Sequence, residues 1–199
     1  MIAADAKNAA IIKPILRGRD VQKYQSDLAD CWLLNTHNGV RNRNAKSEKK
    51  WIIPPIDVVN DYPTVYEYLL KYEKQAKERQ DKGSHWTNLR NCAYLQEFEQ
   101  EKIIWKRIGS KLRFSYSNKN EFTLDSTVIA TGKKLKYLIA LLNSKLHTRE
   151  LLLNAPKTGT GDVIVSVQAL NPLMVYNPTD EEAKPFITCL LYTSDAADD

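Results

Sequence analysis

The 199 residues carry 29 Lys and Arg against 24 Asp and Glu, a net charge of +5, with 43% hydrophobic and 27% charged residues. This is the make-up of a soluble globular domain, with or without a tail. Seven Gly and eight Pro exclude collagen-like and linker-like chains. Three Cys without paired spacing (Cys31, Cys92, Cys189) argue against a disulfide framework and for a cytoplasmic location, and no apolar run reaches the ~18 residues of a membrane span.

Residues 1–10 are small and polar and are expected to be a frayed start or a link to a preceding domain; they lack the pattern of a secretory signal. An apolar stretch, residues 11–16, leads into Arg17-Gly18-Arg19-Asp20. Residues 31–34 (CWLL) read as a short buried strand running into the turn signal Asn35-Thr36-His37-Asn38-Gly39. Residues 41–50 hold five bases and one acid and predict a loop, and Pro54-Pro55 makes residues 51–56 extended. Asp61 and Pro63 predict the start of a helix with the stripe Tyr62, Val65, Tyr66, Leu69, Leu70 and Tyr72, ending in a charged segment stopped by Gly83.

Residues 84–90 (SHWTNLR) predict a loop and residues 94–100 a short helix. Three strands follow at residues 102–108, 112–117 and 122–130, separated by turn residues. Residues 134–153 predict a second long helix, with Leu135, Leu138, Ile139, Leu142 and Leu146 on one face. A loop at 154–162 precedes a last strand at 163–167. The whole reads as α+β, a small mixed sheet with two long helices in a single domain over residues 11–188. Residues 189–199 (CLLYTSDAADD) differ in composition from the rest and are expected to be a non-native tail whose deletion leaves the fold intact. Leaving them out raises the net charge to +8, a balance that suits a polyanionic partner.

No catalytic constellation is legible. His37, His85 and His147 lie far apart, and His147 with Glu150 reads as a surface pair more readily than as metal ligands. Thr158-Gly159-Thr160-Gly161 lacks both the length of a dinucleotide fingerprint and the Gly-Lys-Thr close of a phosphate loop. Neither GxSxG nor an NPPY-type tetrapeptide occurs; Asn171-Pro172-Leu173 and Asn177-Pro178-Thr179 begin like the latter and stop short.

Three segments join bases to amides or aromatics: Arg17 and Arg19 with Lys23 and Tyr24; Arg41, Arg43, Lys46, Lys49 and Lys50; and Arg79, Lys82, His85, Trp86, Asn88 and Arg90. Arg reads guanine edges bidentately, Asn reads adenine, and Lys suits phosphate. Each has a plainer reading beside it. These are pairing of the first two arginines with Asp20, a solvated loop, and a charge cluster at a helix C-terminus.

Several blocks, taken in order, resemble the C-terminal target-recognition domain of restriction–modification adenine methyltransferases, the TaqI-like specificity domain. They are residues 12–21 (IKPILRGRDV) with Tyr24, 32–39 (WLLNTHNG), 61–63 (DYP), 79–83 (RQDKG), 88–94 (NLRNCAY), 101–105 (EKIIW) and 138–146 (LIALLNSKL). The departure is at the end, where Asn171-Pro172-Leu173-Met174 stands in place of a Pro-Ile-Pro-like close. The resemblance implies a domain that reads bases in duplex DNA. In such enzymes an N-terminal domain binds S-adenosylmethionine and methylates a flipped adenine, and some members also carry a nuclease domain. This chain then holds no cofactor and no methyl-transfer activity of its own, and its partners are duplex DNA and the methyltransferase domain. The residues expected on DNA are Arg17, Arg19, Arg41, Arg43, Lys46, Lys49, Lys50, Lys82, Trp86, Asn88 and Arg90. Two other readings compete: a recognition domain of a multi-subunit restriction system's specificity subunit, and an interaction module that does not bind nucleic acid.

Overall fold

The computed structural model describes residues 1–27, 30–42 and 51–195. In chain order they form β1 (Ile12–Leu16), β2 (Trp32–Leu34), β3 (Val40–Arg41), β4 (Trp51–Ile53), α1 (Val58–Asp61), α2 (Pro63–Leu70) and α3 (Glu73–Glu78). There follow β5 (Lys102–Lys106), β6 (Ile108–Gly109), β7 (Phe114–Ser117), β8 (Phe122–Thr123), β9 (Thr127–Thr131), α4 (Leu135–Leu142), α5 (Lys145–Asn154), β10 (Val163–Ile164), α6 (Val167–Leu170) and α7 (Asp180–Asp195). The class is α+β, as expected. Within it the chain forms two compact units, each discontinuous in sequence: Met1–Lys13 with Trp32–Gln96, and Pro14–Cys31 with Glu97–Asp199.

The first unit is built on Ile11, Val58, Tyr62 and Val65, with Leu34, Ile56, Tyr66 and Leu69 packed around them. Pro63 opens α2 where its missing N–H costs nothing. The side-chain cap belongs to the turn before it, where the Asp57 carboxylate accepts the Asn60 N–H at 3.1 Å; Asp61 has no such role. The apolar stripe is only half used. Helical geometry ends at Leu70, so Leu70 and Tyr72 fall out of phase with the core and lie exposed. Trp32, read as part of a buried strand, is 63% exposed. The first ten residues are tied down rather than frayed: Asn8 is fully buried, and its Nδ2 donates to Thr64 Oγ1 at 2.7 Å and to Met1 O at 3.0 Å.

In the second unit β5 is the central strand of an antiparallel sheet, order β7-β5-β9, with Ile103 opposite both Tyr116 and Ala130. Side chains alternate across a strand, and both faces of β5 are covered. Ile103 and Trp105 enter the main core with Leu135, Ile139, Leu151 and Val165, while Ile104 packs with Leu16 and Val21. The Trp105 indole donates to Val165 O at 2.8 Å, so the ring is buried without an orphaned N–H.

Lys102 begins β5 with no solvent exposure, and its Nζ donates to Phe98 O (2.8 Å), Gln100 O (3.2 Å) and Lys119 O (2.6 Å). Burial draws its pKa below the ordinary 10.5, and Glu121 opposes that shift. Three donors on one ammonium match three carbonyls of the irregular segments around β5.

The helix expected over residues 134–153 is two. Asn143 and Ser144 interrupt it: Asn143 Nδ2 donates to Phe114 O at 2.8 Å, Asn143 Oδ1 accepts the Phe114 N–H at 3.1 Å, and Ser144 Oγ accepts the His147 N–H at 3.3 Å as the cap of α5. The change of axis leaves Leu146, expected on the buried face, 70% exposed. At the other end α7 runs from Asp180 through residues 189–195, and Leu190 is buried in the main core.

Two expected outcomes follow from these contacts. Lys102→Met keeps the stem and removes three hydrogen bonds given by a buried ammonium; hydrogen bonds from a charged group contribute roughly 1.5–3 kcal/mol each, so the urea midpoint followed by Trp fluorescence drops clearly. A midpoint equal to that of the wild type would refute the role given to the ammonium. Truncation after Thr188 removes Leu190 and the last turns of α7, and buried Leu deletions cost about 2–5 kcal/mol. The melting temperature of the truncated chain therefore falls, contrary to the harmless deletion expected from composition, and an unchanged value would restore that expectation.

Candidate nucleic-acid interface

The loop at residues 83–91 of the first unit is fastened almost wholly through main-chain atoms. Gly83 N donates to Asn88 O at 3.0 Å and Asn88 N to His85 O at 2.9 Å, which closes a tight turn. Gly83 is required there, because a Cβ would sit 2.7 Å from Asn38 Cγ, Asn88 Cβ and Leu89 O. Side chains from the preceding segments then hold the turn from below. Thr36 Oγ1 donates to Thr87 O (2.7 Å), and Leu89 N donates to Thr36 O (2.9 Å). Asn38 Oδ1 accepts the Ser84 N–H (2.9 Å), while Asn38 Nδ2 donates to Asn91 Oδ1 (2.6 Å). From α3's end, Arg79 Nη2 donates to Trp86 O (3.1 Å) and Asn88 O (3.3 Å).

The dense turn signal at residues 35–39 is thus a support for another loop. Gly39 makes it possible, at φ +74° with Ile53 O only 2.5 Å from where a Cβ would be, so the chain doubles back against β4.

The expected contact residues divide sharply. Asn88 is 3% exposed, and its Nδ2 is committed to Ile56 O (2.9 Å) and Thr36 O (3.4 Å). It braces the loop from beneath, where adenine reading would need it exposed. Trp86 is half-buried, its ring centroid 5.9 Å from that of Tyr66 and 5.6 Å from that of His85. Lys82 is exposed with its ammonium on Lys77 O. His85 and Arg90 stand exposed on the braced loop, His85 with Nδ1 2.8 Å from Thr87 Oγ1. Arg90 makes no ion pair among the described residues. Arg41 is exposed, its guanidinium 5.1 Å from the Trp51 ring centroid. Arg43, Lys46, Lys49 and Lys50 lie outside the described residues.

Arg17 and Arg19 belong to the second unit. Arg17 is held by Asp20 through Nε (3.0 Å), Nη2 (3.1 Å) and its backbone N–H (2.7 Å), and it also pairs with Asp30. Its guanidinium is thus engaged by Asp20, Asp30 and Cys31 Sγ, the pairing named as its plainer reading. Arg19 is 71% exposed, 3.8 Å from Asp20, and remains available. The residues missed in the sequence are Thr36 and Asn38. Their signal was present as turn chemistry, but which chain segment each would brace depends on tertiary contacts 46–53 residues away. Among the described residues no group of three His, Cys, Asp or Glu side chains could hold a metal, and no helix is long and apolar enough to cross a membrane.

With this geometry in view, a family model described as the TaqI-like C-terminal specificity domain matches residues 13–160. The match covers most of the chain, and the chain belongs to that family. It is a DNA-recognition specificity domain of the restriction–modification type. No curated protein matches it.

The Arg17–Asp20 pair has a pH signature. The Arg17 hydrogen bond holds the Asp20 carboxyl below its ordinary 3.8. A carboxyl depressed in the folded state stabilises fully above the unfolded pKa and loses that contribution as pH falls through the folded one. Asp20→Asn should lower the melting temperature at pH 7 and shrink the loss seen on acidification below about pH 3.8. An unchanged acid limb would show that the pair contributes nothing.

Proposed function

We propose that the chain reads the base sequence of duplex DNA for an adenine-specific DNA methyltransferase of a restriction–modification system. The observation that carries this is the braced loop: His85 and Arg90 project from a turn whose position is fixed by Thr36, Asn38, Arg79 and Asn88. Sequence reading needs a donor held in register with a base edge, and an exposed Arg on a fixed backbone, without an acid partner among the described residues, is such a donor. Family membership supports the same reading, as does the net charge of +5.

On this proposal S-adenosylmethionine and the methyl-transfer chemistry belong to a methyltransferase domain outside these residues, in the cytoplasm. The chain itself supplies recognition and no catalytic group. Arg41 and the basic residues that follow it act on phosphates, where flexible cations serve well.

The test uses the chain as it stands. Wild-type protein should enrich a defined sequence from a randomised pool of duplexes. Arg90→Ala should lose about 1–3 kcal/mol of discrimination at one base pair while its affinity for unrelated duplex stays within a factor of about two. A variant that keeps the full ratio of specific to non-specific affinity removes Arg90 as a reader. Absence of any enrichment by the wild type removes the proposal.

A further inference from the structure

Most of the basic residues singled out above lie in the first unit or just before β4. The second unit carries its own cationic cleft, of about 500 Å³, of which the sequence motifs mark Lys23 alone. Lys23, Lys111 and Arg113 line it, together with Ser110, Thr148 and Leu152, and no acidic residue does. Lys23 and Lys111 are exposed, so their ammonium groups are hydrated and mobile; Arg113 is half-buried and anchored through Nη1 on Gln22 Oε1. Thr148 Oγ1 is buried with no hydrogen-bond partner, a hydroxyl on the wall of a basic cleft without an acceptor.

Three cations without a carboxylate, plus an orphaned hydroxyl, fit a ligand that offers several anionic oxygens and no specific shape. We infer that this cleft is a phosphate-binding surface for the backbone of duplex DNA, supplying affinity while the braced loop of the first unit supplies discrimination. The inference rests on the DNA-recognition reading and assigns it a second contact surface. Lys23 and Lys111 are the phosphate contacts. Arg113 and Thr148 set the cleft's depth and present an aimed donor to the same oxygens. Such contacts are indifferent to base sequence, and each phosphate neutralised adds about 0.9 to the magnitude of the log–log salt slope.

The experiment measures binding of the 199-residue chain to its selected duplex and to an unrelated duplex across a salt series. Lys23→Ala with Lys111→Ala should weaken both complexes by the same factor and reduce the slope by about 1.8, with the specific-to-non-specific ratio unchanged. Both residues are exposed, and an unaltered melting temperature confirms that the fold is intact. Lys133→Ala with Lys145→Ala removes the same charge from exposed positions elsewhere in this unit and should leave the slope as it is. If the wild type selects a sequence but the cleft variant keeps its slope, the cleft is not a DNA contact and the recognition reading stands. An equal flattening by the control pair assigns the effect to net charge and also overturns the inference. If the wild type binds no DNA, both readings fall together.

Discussion

A chain made of short elements has more main-chain polar groups to satisfy than its ladders and helices can pair, and buried ones cannot be left alone. Here the difference is supplied by side chains that behave as pieces of backbone. Asn143 offers Phe114 both a donor and an acceptor, as a neighbouring strand would. Lys102 closes three carbonyls at once. Asn38, Asn88, Thr36 and Arg79 do the same for the loop at residues 83–91. Remove these groups and the apolar clusters remain, but the segments between them lose their course.

That constraint explains why the same residue types mean different things at different places. An Asn in a basic segment invites reading as a base contact, and Asn88 is instead fully engaged beneath the loop. Arg17 and Arg90 are alike in composition and context. One is wrapped by Asp20 and Asp30, and the other has no acid partner among the described residues. The difference lies in where neighbouring acids are carried by the fold.

The parts legible in the sequence were those governed by local pattern. The apolar run of the strand at residues 102–106, the start of α2 at Pro63, the loop at 84–90 and the α+β class all follow from local pattern and turn chemistry. The parts that were not legible depend on distant contacts. Leu146 continues the heptad-like stripe of α4, yet Asn143 is drawn away to Phe114 and the helix restarts on a new axis. Leu190 sits in a segment whose composition looks foreign, yet an uninterrupted α7 carries it into the core. Trp32 has the hydrophobicity of a core residue and stands on the exposed side of a three-residue strand. For the candidate interface, the sequence marked the loop at residues 84–90 but not which of its members face outward.

The bracing of that loop has a further consequence for how such a domain can change. Its fixing bonds end on main-chain atoms of residues 84, 86, 87, 88 and 89. Every amino acid but proline offers those atoms, so the support does not depend on which side chains stand at positions 84, 85 and 90. The presenting residues can drift while the frame beneath them stays put. A scaffold of this kind separates the inheritance of shape from the inheritance of preference, and a new preference costs it no new fold.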